Sequence, residues 1–332
     1  IYNNKYAETK GFVKSSVGFA VKDGDDEKII QKTLFEGLRL PEEGYCIFKD
    51  YMSGLEYIRR NKDIKEKGLY VELNAFKCLV FMEFRIVQDD EFFHYAQLYD
   101  FLGGKGVQNI NDTLQDVIYQ SLHDPFEKLV NKENVKTLIA LRDKDLKNKL
   151  DKLKIDVFLI EVKNYTLSEK KVEPIREEII EKLKIALSLK KHLKEYNIKE
   201  KTLDLVNEII PNTAYQWAIL LSWVYIHSLR KFKDETDYEL ISRSLLDQFQ
   251  LLKYIQKTIE ELSNEKFENT KAIDLLKVLI IHQNLLISNI SEKNKALSII
   301  KRLFSDSDTQ RYLEVNRYQD ILWFSADYFS KL

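Results

Sequence analysis

Glycine is absent from residues 107–332 of this sequence, although ten glycines occur between Gly11 and Gly106. Glycine supplies the positive-φ turns that connect strands, and inside a helix it costs about 1 kcal/mol relative to alanine. Its distribution therefore predicts a β-rich segment followed by a helical one. We expect an α+β fold, with a small antiparallel β-sheet domain in residues 1–88 and a large irregular α-helical bundle in residues 89–332.

An excess of charge of either sign is also lacking. The 52 lysines and arginines balance 53 acidic residues, so nothing attracts nucleic acid or anionic lipid to the whole chain. The basic stretch in residues 128–201 is interleaved with acids at helical spacing, which is typical of solvated helix faces. We therefore expect neither a nucleic-acid partner nor a membrane partner.

Long hydrophobic runs are missing as well. The most apolar segment, residues 214–229, contains Gln216, Ser222 and His227 and is shorter than the roughly 20 residues that a membrane span needs. The pattern predicts a central core helix at this position.

Cysteine is scarce. Cys46 and Cys78 lie in apolar, strand-like runs without the spacing of metal ligands. This usage favours buried free thiols in a reducing compartment, so a cytoplasmic location is expected. A disulfide becomes geometrically possible if the two strands pair in register.

The β-rich segment shows three short strand patterns, at residues 45–49, 55–59 and 69–73. In residues 76–86 every even position is apolar, which predicts one long strand with a single apolar face. From Asp89 onward the apolar period becomes helical. No repeat of constant length is present, so a bundle is favoured over a solenoid.

Two short motifs invite a functional interpretation. The sequence Gly103-Gly104-Lys105-Gly106 is glycine-rich, but it lacks the following Ser or Thr of a phosphate loop and comes after a helical pattern. A helix C-cap is the favoured interpretation. The arrangement of Asp156, Glu161 and Lys163 is similar to the acid and Glu-x-Lys residues that hold Mg²⁺ in restriction-endonuclease-like folds, but that site requires a strand at residues 155–163. An amphipathic helix is the favoured alternative.

The remaining candidate residues form no catalytic or metal pattern. No histidine stands three or four residues from another histidine or cysteine, and no Gly-x-Ser-x-Gly or Cys-x-x-Cys motif occurs. Tryptophans can stack on sugars, although aromatic residues at helical spacing usually belong to a core. We expect no catalytic, cofactor-binding or metal-binding residue in this chain, and His227 and His282 are expected in the core. The residues considered are His94, His123, His192, His227, His282, Trp217, Trp223 and Trp323.

Two segments resemble a known family. Residues 45–60 and 68–76, beginning Tyr45-Cys46-Ile47-Phe48, resemble a region downstream of the catalytic barrel in large bacterial proteins of the alpha-amylase superfamily of glycoside hydrolases. Residues 315–324, ending Ile321-Leu322-Trp323-Phe324, are similar to a motif in the helical tail of the same proteins.

The resemblance implies a sandwich-like remnant followed by a helical accessory domain that is truncated at its C-terminus. The chain begins at Ile1 without an initiator Met and ends where a helix pattern starts, so we expect a piece of a longer protein. The superfamily's catalytic acids sit on barrel strand ends, and this chain lacks the eightfold strand–helix alternation that would hold them. No catalytic residue is carried over. The expected partners are the parent's catalytic barrel and an α-glucan of the starch or glycogen type.

The leading hypothesis is thus a non-catalytic C-terminal fragment of an alpha-amylase-like glycoside hydrolase. The alternative is a stand-alone helical protein-interaction module. A metal-dependent nuclease that uses Asp156, Glu161 and Lys163 is the third hypothesis.

Overall fold

The computed structural model describes residues 1–24, 26–141, 143–195, 210–233, 238–263, 266–283 and 295–332. These residues form two compact units, Ile1–Gln120 and Ser121–Leu332. Small antiparallel sheets occupy the first unit and helices dominate the second, which confirms the α+β class.

The first unit contains two-stranded and three-stranded antiparallel sheets. β1 pairs with β6, β2 pairs with β3, and β4 lies between β5 and β7. The strands are β1 (Thr9–Val13), β2 (Phe19–Asp23), β3 (Asp26–Ile30), β4 (Tyr45–Asp50), β5 (Glu56–Arg60), β6 (Leu69–Leu73) and β7 (Phe81–Val87). The helices are α1 (Leu34–Gly37), α2 (Asn61–Lys67), α3 (His94–Leu102) and α4 (Ile110–Ile118).

Strand β4 is buried on both faces, which explains its continuous apolar sequence. Cys46 and Phe48 pack into one cluster with residues of α2 and β6. Tyr45 and Ile47 pack into a second cluster, which includes Leu98 of α3 and residues of α4. Because α3 and α4 cover this sheet face, the first unit continues to Gln120 and does not end at residue 88, the predicted end of the β-rich domain.

The prediction of one long strand over residues 76–86 is wrong. Strand β7 begins at Phe81, and its register with β4 shifts at a bulge where Glu83 adopts a φ of 56°. Directly opposed residues share a sheet face, and Met82 opposes Lys49 whereas Ile86 opposes Cys46. Residues 46 and 49 are three apart in one strand and therefore lie on opposite faces. The bulge thus separates apolar residues that a regular strand would have placed together.

The second unit is a bundle of helices, and its first helix, α5, begins at the boundary between the two units. Its helices are α5 (Gln120–Val130), α6 (Lys132–Ala140), α7 (Asp143–Lys152), α8 (Ile155–Thr166), α9 (Val172–Glu195), α10 (Ala214–His227), a 3₁₀ helix (Ser228–Phe232), α11 (Tyr238–Gln248), α12 (Leu252–Leu262), α13 (Lys266–Ile281), α14 (Lys295–Ser305), α15 (Ser307–Tyr312) and α16 (Ala326–Lys331).

The predicted core helix is confirmed as α10. A capping box starts it, because Thr213 Oγ1 accepts from the Gln216 backbone N–H while Gln216 Oε1 accepts from the Thr213 N–H. Buried residues occur at nearly every position from Trp217 to His227. The helix packs against α6, α9, α12 and α13, so its sequence needs no polar face.

A β-hairpin interrupts the helices near the end of the chain. β8 (Asn316–Tyr318) pairs with β9 (Ile321–Trp323), so the prediction that residues 89–332 are entirely helical is wrong there. The two turn residues, Gln319 and Asp320, both have positive φ, at 48° and 61°. This backbone is that of a type I′ turn, whose twist matches a two-residue hairpin. Neither residue is the Gly that usually marks such a turn in a sequence.

The hydroxyl of Tyr225 in α10 is fully buried and has no hydrogen-bond partner among the described residues. Burying such a group without a partner costs about 1–3 kcal/mol. We expect Tyr225→Phe to raise the free energy of unfolding of the second unit by about 1 kcal/mol, since the ring is kept and the hydroxyl is removed. Urea denaturation followed by tryptophan fluorescence measures the change.

The matched control is Tyr99→Phe in the first unit. The hydroxyl of Tyr99 donates to Asp63 Oδ2 at 2.9 Å, so its removal should destabilise that unit. The first unit contains no tryptophan, so hydrogen exchange of residues 1–120 measures the change in this control. A Tyr225→Phe protein that is less stable than the wild type would contradict the interpretation.

Candidate functional site

The sequence-predicted nuclease residues lie on a helix. Asp156, Glu161 and Lys163 belong to α8, so the strand that the endonuclease-like site requires is not formed and that hypothesis is wrong. At about 100° per residue, Glu161 lies about 140° around the helix axis from Asp156. Glu161 accepts a hydrogen bond from Ser121 Oγ at 2.9 Å. Among the described residues, no group of three or more His, Cys, Asp or Glu side chains is placed to hold a metal ion.

The glycine-rich motif ends helix α3, as predicted. Gly103 adopts a φ of 53° and its N–H donates to the carbonyl of Tyr99, which is the geometry of a left-handed C-cap. The carbonyl of Gly104 accepts from Arg59 Nη2 at 3.0 Å. The motif is therefore part of the structure of the first unit.

The histidine side chains that the structure describes make structural contacts. His123 is buried with Nε2 2.7 Å from the carbonyl oxygen of Phe249. Nε2 of His282, whose side chain is 7% exposed, lies 3.0 Å from Thr309 Oγ1. His94 Nδ1 lies 2.5 Å from Asp90 Oδ2. The side chain of His192 lies outside the described part of the structure. Both cysteines are free thiols; Cys46 is buried and Cys78 is half-buried.

The three tryptophans differ in environment. Trp217 is buried in the core, and Trp223 donates its indole N–H to the carbonyl of Leu279. Trp323 is exposed on β9. The prediction that the tryptophans belong to a core is thus confirmed for Trp217 and is wrong for Trp323.

An apolar cavity of about 380 Å³ lies within the first unit. Its walls come from β1, α1 with its C-cap residue Leu38, β4, α2, β6, the segment of residues 79–84 and Ile1. Every side chain that lines it is aliphatic or phenylalanine. Phe81 and Phe84 both contact the ring of Phe48, with centroid distances of 5.0 and 5.4 Å. In a regular strand Phe81 and Phe84 would point to opposite faces, and the bulge at Glu83 brings both side chains to the same wall of the cavity.

The buried carboxylate of Asp50 fixes one wall of this apolar cavity. It accepts hydrogen bonds from the backbone N–H of Val80 at 3.2 Å, from Met52 N and from Ser53 N and Oγ. Burial acts to raise the pKa of Asp50, but the hydrogen bonds from Ser53, Val80 and Met52 hold it below its usual value. The charged carboxylate therefore ties the end of β4 to Val80, a residue of the cavity wall.

A second arrangement, the Glu178 cluster, consists of Glu178, Lys182, His227 and Lys231 in the second unit. Glu178 Oε1 lies 2.6 Å from Lys182 Nζ, and Oε2 pairs with Lys231. His227 Nε2 contacts Lys182 Nζ and lies 3.6 Å from Glu178 Oε1. One carboxylate therefore connects α9, the end of α10 and the 3₁₀ helix.

The tautomer of His227 follows from its partners. Nδ1 lies 2.9 Å from the carbonyl oxygen of Val224, which can only accept, so Nδ1 carries the proton and Nε2 accepts from Lys182. Burial and the neighbouring Lys182 ammonium lower the pKa of His227 to about 4. Burial and Arg230 lower the pKa of Lys182 to about 8. At neutral pH the imidazole is neutral while Glu178 holds the ammonium.

Neither the apolar cavity nor the Glu178 cluster was predicted from the sequence. The spacing of Glu178 and Lys182, like that of His227 and Lys231, is the i,i+4 spacing of neighbours on one helix face. That spacing predicts each pair by itself. It does not predict that the two pairs contact each other, because more than forty residues of the chain separate them.

The comparisons with known proteins identify no relative. No family model matches the chain, and neither the curated proteins nor the solved structures contain a match. Among the described residues, no helix combines the length and the apolar character needed to cross a membrane.

Proposed function

We propose that this chain is a non-catalytic accessory part of a larger alpha-amylase-like glycoside hydrolase, and that the β8–β9 hairpin docks against the catalytic barrel. The main observation that supports this proposal is the exposure of the apolar side chains of the hairpin. Tyr318, Ile321, Leu322 and Trp323 are 64%, 58%, 49% and 58% exposed. By the register of the hairpin, Tyr318, Ile321 and Trp323 share one face, and Leu322 lies on the other. An exposed apolar face of this kind is typical of a contact site with another polypeptide.

The architecture of the hairpin supports the same proposal. Among the described strands, β8 and β9 pair only with each other. A two-stranded hairpin is marginal on its own in water and gains stability when another surface covers it. Its base is held in place, since Ser325 N donates to the carbonyl of Leu313 and Phe324 packs on Phe304. A hairpin with an anchored base and an exposed apolar tip is suited to docking.

The choice of partner rests on the sequence resemblance. Residues 315–324, which carry one part of it, contain this hairpin, and residues 45–60 and 68–76 contain β4, β5 and β6. The proposed partner is therefore the barrel of the parent enzyme. The proposed role is to cover and stabilise that barrel.

The first experiment recovers the full reading frame around this segment and assays its product for release of reducing ends from soluble starch. We expect the full-length protein to be active and the 332-residue chain to be inactive. A full frame without a barrel, or an intact protein that leaves starch untouched, would leave the stand-alone interaction module as the function.

A second experiment tests the hairpin itself. The double variant Ile321→Ala, Trp323→Ala should lower the stability of the full-length protein by about 3 kcal/mol, since both side chains would be buried only in the docked state. The isolated chain should change little, because both side chains are exposed there. The matched control is Tyr51→Ala, Met52→Ala, which removes exposed apolar side chains of the first unit. Equal effects of the double variant in both proteins would contradict docking.

A further inference from the structure

We propose that the apolar cavity of the first unit is a binding site for a neutral, apolar small molecule, of the class of an aromatic ring system or a medium-length alkyl chain. This site is independent of the proposed docking hairpin, which belongs to the second unit.

The size and the lining of the cavity carry the inference. A volume of about 380 Å³ falls within the range of ligand pockets, which is about 300–1,000 Å³. Cavities lined only by aliphatic and aromatic side chains stay dry and bind apolar guests. The cavity is therefore large enough for a molecule and chemically suited to one without charge.

The cavity also reaches the surface. Two of its lining residues, Val80 and Phe84, are 38% and 39% exposed, so a ligand can enter past them without unfolding of the unit. The deeper wall is buried, with Phe48 at 1% and Ile64 at 4% exposure. An apolar ligand thus moves from water into a site that buries most of its surface.

The chemistry of the wall restricts the ligand class. No lining side chain offers a hydrogen bond or a charge, so a charged or strongly polar group placed inside would lose its hydration without compensation. The backbone near the mouth is already engaged: Leu79 N donates to the carbonyl of Ile1, and Tyr51 N donates to that of Val80. Affinity is therefore set by apolar contact area.

The walls are preformed, which lowers the cost of binding. The Asp50 carboxylate fixes Val80, and the backbone N–H of Leu34 donates to the carbonyl of Lys14 at 2.9 Å, which joins α1 to the end of β1. Binding to a fixed wall requires little reordering.

The test is a fluorescence titration of the 332-residue chain with N-phenyl-1-naphthylamine, a neutral apolar probe. We expect a saturable rise in emission. Hexanol, heptanol and octanol should displace the probe, with an affinity that increases about fourfold per added methylene. A linear, non-saturable rise, or displacement that does not depend on alcohol length, would overturn the proposal.

Leu38→Trp is the variant that fills the cavity, because Leu38 is part of its wall. It should lower the affinity for the probe at least tenfold. Phe35→Trp is the matched control, since Phe35 packs on the same cluster but does not line the cavity. Circular dichroism confirms that both variants are folded, and Leu34→Trp replaces the first variant if it is not. Wild-type affinity in a folded cavity-filling variant would refute the site.

The same titration on the product of the full reading frame distinguishes a ligand from a segment of polypeptide. Saturable binding by both proteins supports a small-molecule site. Binding by the shorter chain alone would show that another part of the polypeptide fills the cavity, and would overturn the proposal while leaving hairpin docking intact.

Discussion

Replacing Gly68 with alanine is expected to destabilise the first unit by at least about 3 kcal/mol. Gly68 connects α2 to β6 with a φ of 86° and a ψ of −166°, a region that only glycine adopts without strain. An added Cβ would also lie 2.5 Å from the carbonyl oxygen of Val13, a backbone atom of the paired strand β1. The β1–β6 pair would have to separate to admit it.

Gly54→Ala is the matched control for this variant. Gly54 also has a positive φ, 73°, but a Cβ there would meet no atom within 4 Å. It isolates the conformational cost, which is about 1–2 kcal/mol. All three tryptophans lie in the second unit, so hydrogen exchange of residues 1–120, followed by mass spectrometry, is the suitable measurement. Equal destabilisation by the two substitutions would show that the clash with Val13 is not formed.

Acidification is expected to remove about 3 kcal/mol of stability from the second unit through His227 alone. Its pKa is about 4 in the folded state and 6.5 when unperturbed, and the side chain is 3% exposed. Because the folded state binds the proton more weakly, the contribution is fully present above pH 6.5. It is lost progressively as the pH falls towards 4.

The groups that face His227 explain the direction of this effect. Lys182 comes from α9, and Arg230 comes from the 3₁₀ helix; both repel an imidazolium. Glu178 attracts it, but that carboxylate already pairs with Lys182 and Lys231. Protonation also removes the lone pair that accepts from Lys182.

Urea denaturation between pH 7 and pH 4 measures the slope. Trp223 stacks on His227 with ring centroids 4.6 Å apart, so tryptophan fluorescence also reports the local protonation. His227→Gln should remove most of the slope between pH 6.5 and 4. His123→Gln should remove a separate, additional part of the pH dependence of stability, since burial lowers the pKa of His123 as well. An unchanged slope in the His227→Gln protein would refute the assignment.

Local rules predicted those elements whose causes lie within a few residues. The C-cap at Gly103 follows from a glycine directly after a helical pattern. The buried helix α10 follows from an unbroken apolar run behind the Thr213 cap. The same rules failed at residues 316–323, where two non-glycine residues adopt positive φ and a hairpin replaces the expected helix.

The sequence by itself determined the α+β class, because glycine placement and apolar period are properties of neighbouring residues. Only the tertiary structure decided which face each residue of β7 occupies, since the bulge at Glu83 depends on pairing with β4. The tertiary structure also decided that Glu178 lies beside His227. It likewise formed the apolar cavity, whose wall includes Val13 and Phe84. These contacts join residues that are distant in the chain, and their formation depends on how whole elements pack, which no local pattern encodes.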